Sequence, residues 1–315
     1  MSRYFSEPYD DQASRERLVE LLLAHRLGSS LLVYPTIWRS LLLLTSRVWE
    51  PALDARQWLD EQGRMTGFAM LWRRSPASQY LSLERYAHPA FTSAGLTEVM
   101  LAWGSARGGE IARQQNQAVF LNAIAIPGDE LEAFAAHGFT PYIPGDGPRA
   151  VYYARDLHLQ PPAPETPPGW VIRPPHSLAE LEAYNELYDF AAVTPAHRQE
   201  LLASDEYAHL VVVDPSGAFQ AYCEVSICRE EWRLSDQKIG WVDYIGVRPE
   251  LQGRGLGRAI LLAGLQALHA WGAHSARLVT TSDNEPAVRL YERCGFVVTQ
   301  MDEPAGYEMT VPPEG

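Results

Sequence analysis

Hydrophobic and polar positions change period several times along the C-terminal half, most legibly between Ala221 and Phe296. Ala221 to Cys228 and Asp243 to Val247 are short, largely apolar runs of the kind that form strands, the second ended by Pro249. After a glycine-studded turn, Leu261, Leu265 and Leu268 recur at helical spacing, and Gly272 stands where such a helix would end. Ala276 to Thr281 (ARLVTT) is apolar and β-branched, which predicts another strand. A second helix follows: Asn284 suits the cap, Pro286 suits the first turn, and Ala287, Leu290, Tyr291 and Cys294 share one stripe before Gly295. Strand, turn, helix, strand, helix places the chain in the α/β class, of α+β type.

The turn between Val247 and the first helix carries candidate chemistry. Gly253, Gly255 and Gly257 lack the Cβ atoms that would hold a ligand away from the backbone, and a helix start leaves N–H groups unpaired. Arg254 and Arg258 add positive charge, so the segment reads as a phosphate cradle. No Gly-Lys-Ser/Thr occurs, which excludes a P-loop. The glycines run G-x-G-x-G and positions 273 to 275 are Ala, His and Ser, so the dinucleotide fingerprint with its downstream acid is absent too. A glycine-rich turn with no ligand is the alternative.

Gln252-x-x-Gly255-x-Gly257 after a strand, followed by Asn284, Ala287 and Tyr291 before Gly295-Phe296, resembles the GNAT superfamily of N-acetyltransferases. The resemblance implies that Gln252, Gly253, Arg254, Gly255, Leu256, Gly257 and Arg258 hold the pyrophosphate of acetyl-CoA. It further implies that the strand bearing Ile245, Gly246 and Val247 splays from the strand before Asn284, leaving a gap for the pantetheine arm. Asn284 and Ala287 would then contact the cofactor, and Tyr291 would protonate the leaving thiolate. Gly246, inside an apolar strand, predicts a bulge or a close backbone approach. Asn284 as a plain helix cap and Tyr291 as a core tyrosine are the alternatives. Many members carry a glutamate at the position of Trp241, so the base lies elsewhere. Asp243, two residues on and on the same strand face, is the first candidate and Glu224 the second, against the alternative of solvated or salt-bridged carboxylates.

At 315 residues the chain is long for one core, which predicts two domains. A proline-rich run, residues 158–169, divides them into 1–157 and 170–315. An offset of 160 aligns His88-Pro89 with Arg248-Pro249 and Gly95-Leu96 with Gly255-Leu256; three fewer aligns His137-Gly138-Phe139 with Cys294-Gly295-Phe296. The expected architecture is therefore two tandem GNAT folds, each a mixed, mainly antiparallel sheet flanked by helices. The first copy has Thr92, Ser93 and Thr97 in place of Gln252, Gly253 and Gly257, and Ile126-Pro127-Gly128 in place of the asparagine motif, so it is expected not to catalyse.

Net charge is −13, and from Gly169 onward 21 acidic residues face 11 basic ones. Such a field disfavours nucleic acid and suits a cationic amine. Cys223, Cys228 and Cys294 lack metal or disulfide spacing and read as reduced thiols. The run Leu31 to Leu44 is cut by Pro35 and Arg39, so no membrane span is expected, and the acidic N-terminus predicts a cytoplasmic protein. The expected function is transfer of an acetyl group from acetyl-CoA to a primary amine of a small molecule or peptide, by a monomer or homodimer without a metal. A non-catalytic acyl-CoA-binding regulator or scaffold is the alternative. Acceptor specificity is expected around Tyr184 to Thr194 and Met301 to Tyr307.

Overall fold

Two seven-stranded sheets built to one plan divide the chain between them. The computed structural model describes residues 4–29, 31, 36–44, 50–73, 75–91, 95–125, 129, 131–142, 149–177, 180, 203–302 and 306–313. In the first half the strands are β1 (Phe5–Pro8), β2 (Ala55–Leu59), β3 (Met65–Trp72), β4 (Tyr80–Ala87), β5 (Val119–Ile124), β6 (Thr140–Tyr142) and β7 (Ala150–Asp156). The helices there are α1 (Asp11–Gly28), α2 (Ile37–Leu43), α3 (Pro51–Asp54), α4 (Leu96–Gln115) and α5 (Leu131–Ala136). The second half contributes β8 (Val171–Arg173), β9 (Tyr207–Val213), β10 (Phe219–Ile227), β11 (Ile239–Val247), β12 (Ser275–Thr281), β13 (Val297–Asp302) and β14 (Gly306–Val311). Its described helices are α6 (Arg229–Ser235), α7 (Leu256–Trp271) and α8 (Glu285–Arg293).

The first sheet has the order β1-β2-β3-β4-β5-β14-β6 and the second β8-β9-β10-β11-β12-β7-β13. One strand in each comes from the other half of the sequence: β7, which closes the first half, lies between β12 and β13, and β14 lies between β5 and β6. The copies exchange their last strands. Contacts accordingly group Met1–Leu31, Ser46–Gly147 and Glu303–Gly315 in one unit, and Leu32–Thr45 with Pro148–Asp302 in the other. Boundaries at 157 and 170 do not delimit these units, because a strand's partner is set by long-range pairing that no local composition records.

The proline-rich run lies wholly within the second unit, where it joins β7 to β8. An extended proline-rich chain makes no internal hydrogen bonds, so its carbonyls are free to accept. Gln266 Nε2 donates to the carbonyls of Pro161 and Pro162, each at 3.3 Å, and His269 Nδ1 donates to that of Leu157 at 2.8 Å.

In the second unit, Leu256, Ile260, Leu261, Leu265 and Leu268 of α7 pack with Val212 of β9, with Ala221, Cys223 and Val225 of β10, and with Val242 of β11. Each such buried leucine contributes about 1.5–3 kcal/mol. α7 starts at Gly255 with φ 89° and ends at Gly272 with φ 93°, left-handed conformations that glycine adopts without strain. α4 of the first unit likewise starts at a left-handed glycine, Gly95, with φ 70°. Among the described residues no helix is long and apolar enough to cross a membrane, no cluster of three or more metal-ligating side chains occurs, and the three cysteines are free thiols.

Candidate functional site

The site begins where two central strands part. β11 and β12 run parallel and pair at Ile239/Ser275, Gly240/Ala276 and Trp241/Arg277, where their ladder stops. β11 goes on pairing with β10 as far as Val247, and β12 with β7 as far as Thr281. From Val242 and Leu278 onward the facing edges are therefore not paired to one another, and the backbone groups of Ile245, Gly246 and Val247 line one side of a wedge.

At the mouth of the wedge a 3₁₀ turn, Pro249–Leu251, leads to Gln252, whose side-chain amide donates to the Val247 carbonyl at 3.3 Å. Gly253 and Gly255 have φ of 76° and 89°, and a Cβ on either would meet nothing within 4 Å. The backbone is thus open to a ligand there, and only the left-handed conformation demands glycine. No side chain caps α7 and no acid lies in its first turn, so its first N–H groups and its partial positive charge face outward beside exposed Arg254 and Arg258. Leu256 turns into the core. Gly257 answers to packing: a Cβ there would come 3.3 Å from Leu290 of α8.

Asn284 caps α8, accepting from the Ala287 amide at 3.4 Å and donating to Thr280 Oγ1 at 3.3 Å. Ala287 and Leu290 pack against the core that holds Tyr291. Tyr291 is 5% exposed between Tyr153 and Phe296, with ring centroids 5.8 and 6.0 Å away. Burial raises its pKa, so the phenol stays protonated, and no hydrogen bond from a described residue holds its hydroxyl.

The sheet face away from α7 carries the acids. Glu224 pairs with Tyr244 and Val225 with Val242, so Asp243 is the extra residue of a β-bulge. Gly246, where a bulge was expected, pairs regularly with Tyr222; its missing side chain admits that ring, since a Cβ would lie 2.3 Å from Tyr222 Cε1. The bulge turns Asp243 towards the same face as Glu224. Asp243 Oδ1 accepts from Thr36 Oγ1 at 3.2 Å, while Oδ2 is out of solvent with no hydrogen-bond partner among the described residues. Burial, reinforced by the charge on Glu224, pushes its pKa up to about 7 against the opposing pull of the Ser226 and Thr36 hydroxyls and of Arg39. Glu224 is held from β9: the Tyr207 hydroxyl donates to Oε2, and His209 Nδ1 lies 3.5 Å from Oε1. One carboxyl is therefore clamped by protein donors, and the other titrates near neutrality with an oxygen to spare.

Sequence reading missed Thr36, Arg39, Tyr207, His209 and Ser226. Tyr207 and His209 stand two apart on a strand, a spacing that puts them on one face; nothing local links Thr36 to Asp243 across 207 residues. Tyr184 to Thr194 lies outside the described residues. Of Met301 to Tyr307, Met301 lies in β13 of the second sheet and Tyr307 in β14 of the first, its ring centroid 4.2 Å from that of Phe134, and residues 303–305 lie outside the described residues.

The corresponding place in the first unit is filled. β4 and β5 pair in parallel from Tyr80/Phe120 to Leu83/Ala123. Beyond them Arg85 donates to the Ile124 carbonyl at 2.7 Å and to both Asp129 oxygens at 3.1 and 2.8 Å, with side-chain exposures of 0% and 3%. Thr97 donates to Asp129 Oδ1 at 2.8 Å, and the Arg85 guanidinium lies 4.8 Å from the Phe134 ring centroid. The offset of 160 puts Arg85 in the place of Ile245 and Thr97 in that of Gly257. Thr92, Ser93 and Ile126 to Gly128 lie outside the described residues.

Two mixed sheets with splayed parallel strands and a glycine-started helix beside each define the tandem GNAT fold. A tandem GNAT protein from the clavulanic acid biosynthesis pathway superposes with a TM-score of 0.65 at 16% identity, over 99% of this chain and 100% of that one. A GCN5-related N-acetyltransferase from Sphaerobacter thermophilus gives 0.59 at 20% identity, over 98% and 96%. Residues 175–296, which carry the wedge, the loop and both acids, match the model of the Acetyltransferase (GNAT) family. The chain is also similar to mycothiol acetyltransferases: 50% identical over 68 residues to that of Pseudarthrobacter chlorophenolicus, covering 22% of this chain and 21% of the relative. It is 37% identical over 91 residues to that of Streptomyces coelicolor, covering 28% and 29%. The matched stretches thus span about a fifth to a third of those relatives' length.

Proposed function

We propose that the chain is an acetyl-CoA-dependent N-acetyltransferase whose second unit carries the reaction and whose first unit is structural. The observation that carries this reading is the wedge between β11 and β12, with a glycine-started helix at its mouth and Asp243, pKa about 7, on the strand that bounds it. Acetyl-CoA, when bound, supplies the activated acyl carbonyl. The loop Gln252 to Gly257 offers amides to its pyrophosphate, Arg254 and Arg258 add charge, and the free edge of Ile245, Gly246 and Val247 offers strand-like hydrogen bonds to its pantetheine.

Asp243 is the base: it takes one proton from the substrate ammonium, which frees the nitrogen lone pair to attack the acetyl carbon. Tyr291, kept protonated by burial, gives its proton to the sulfur as the carbon–sulfur bond breaks, and the second nitrogen proton, lost as the amide forms, restores the phenol. Glu224, fixed by Tyr207 and His209, holds negative charge beside the incoming cation and raises the basicity of Asp243. An acyl-CoA sensor would need neither a free carboxylate oxygen nor a pKa near 7, so these features favour the enzyme.

Isothermal titration of the full chain with acetyl-CoA, followed by thiol release with a panel of amines, tests the reading. Binding with turnover of an amine supports it, and Gly255→Trp should abolish the binding. Unchanged affinity in that variant would remove the loop from the site.

A further inference from the structure

On the face that carries the acids, residues opposite one another in the ladders form cross-strand rows. One row runs Tyr207, Ser226, Trp241, Arg277, Ala154 across β9, β10, β11, β12 and β7. The next begins His209, Glu224 and reaches β11 at the Asp243/Tyr244 bulge. Arg277 is therefore on the acidic face, at the last pair before the wedge opens. It stands one strand over and one row back from Asp243, about 8 Å between Cα atoms from strand spacing and rise.

Arg277 has no hydrogen bond or ion pair among the described residues, and its Nε is enclosed without a partner. Burial alone lowers its pKa, with no carboxylate acting on it. A half-buried guanidinium without an anion is costly to keep, and the group it suits is planar and bidentate. On the assumption that the second unit acetylates amines, we propose that the acceptor is an amino acid-like zwitterion, its amine directed to Asp243 and Glu224 and its carboxylate to Arg277. The two charges of such a molecule lie a few bonds apart, and the rows present the two complementary charges on neighbouring strands.

The test compares the common amino acids with the amines left when their carboxyl group is removed, using the full chain, acetyl-CoA and thiol release. The amino acid of a productive pair should be acetylated with the higher kcat/KM. Arg277→Gln should raise its KM about 10- to 100-fold, the value of charge-assisted hydrogen bonds, with kcat changed little and the decarboxylated amine unaffected. Arg277→Lys, which keeps charge without the fork, should recover part of the loss and guards against misfolding of the first variant. Equal turnover of both members of each pair, or equal slowing of both by Arg277→Gln, overturns the inference and leaves the acetyltransferase reading standing. Binding of acetyl-CoA without transfer to either member of any pair overturns both.

Discussion

The two units pose the same backbone problem and solve it in opposite ways. In each, a parallel pair of strands parts after three or four residues beside a helix that starts at a left-handed glycine. In the second unit no described residue bridges the gap, and the first turn of the helix beside it carries no acid. In the first, Arg85 reaches into the gap to the Ile124 carbonyl and binds Asp129, and Thr97 completes the network. An ion pair this buried gains most of its value from its hydrogen bonds, and those bonds satisfy the donors and acceptors that a ligand would otherwise meet. A fold that splays its sheet must fill the opening from within or from outside. With its opening filled from within by Arg85 and Asp129, the first unit has the part of a scaffold in the function proposed above.

The largest effect should come from breaking the strand exchange that couples the copies. A fragment of residues 158–315 lacks β7, which lies between β12 and β13 and carries the buried Val151 and Tyr153 of the second core. It should show no cooperative thermal unfolding by circular dichroism, whereas the full chain unfolds cooperatively. A stable, acetyl-CoA-binding fragment would mean that β7 is dispensable.

The second comparison is chemical. Tyr291→Phe should lower turnover about 10²- to 10⁴-fold with acetyl-CoA affinity nearly unchanged, since only proton donation is lost. Asp243 accepts a proton only above its pKa, so rate should rise through pH 7, and Asp243→Asn should be slow at every pH without that limb. Wild-type rates and pH profile in both variants would reduce the two residues to packing and solvation. Titration calorimetry of the wild type should find one acetyl-CoA per chain; two would show that the Arg85 network yields to the ligand.

What the sequence made legible was local. Glycine spacing, the Asn284 cap and the stripe Ala287, Leu290, Tyr291 each report a backbone need within a few residues, and the loop and both helices stand where the pattern put them. The strand exchange was hidden, because β7 and β14 have the same periodicity whichever sheet they join. The bulge was displaced from Gly246 to Asp243 because a glycine in a strand marks close approach as readily as irregularity, and here the approaching group is the Tyr222 ring. The Asp243 environment was hidden for a further reason: Thr36, just before α2, and Arg39 on α2 come from the first half of the sequence but belong to the second unit.

Asp243 also makes a stability prediction. Its folded pKa lies above its unfolded value of about 4, so the folded state favours the protonated form. The stabilisation is full below pH 4 and is lost as pH rises through about 7, with an upper bound of about 4 kcal/mol for the three-unit difference. Urea unfolding of the wild type should therefore lose midpoint between pH 5 and pH 8, and Asp243→Asn should lose much less. Equal pH dependence in the two proteins would place the acid in solvent.

The smallest effect, and the sharpest for the comparison, comes from matched alanines at the two helix starts. Gly95 and Gly255 have φ of 70° and 89°, and a Cβ on either would meet nothing within 4 Å. Each substitution should therefore cost only the left-handed penalty, about 1–2 kcal/mol of stability and nearly the same in both units. Their effects on ligand should differ. Gly255→Ala places a methyl group where phosphate is proposed to meet the α7 amides and should weaken acetyl-CoA binding measurably, while Gly95→Ala, beside the filled gap, should leave it unchanged. Thermal shifts that match between the variants, with affinity altered only in the second, would isolate ligand approach from backbone strain. Affinity lost equally in both would trace the effect to general destabilisation and erase the functional difference between the units.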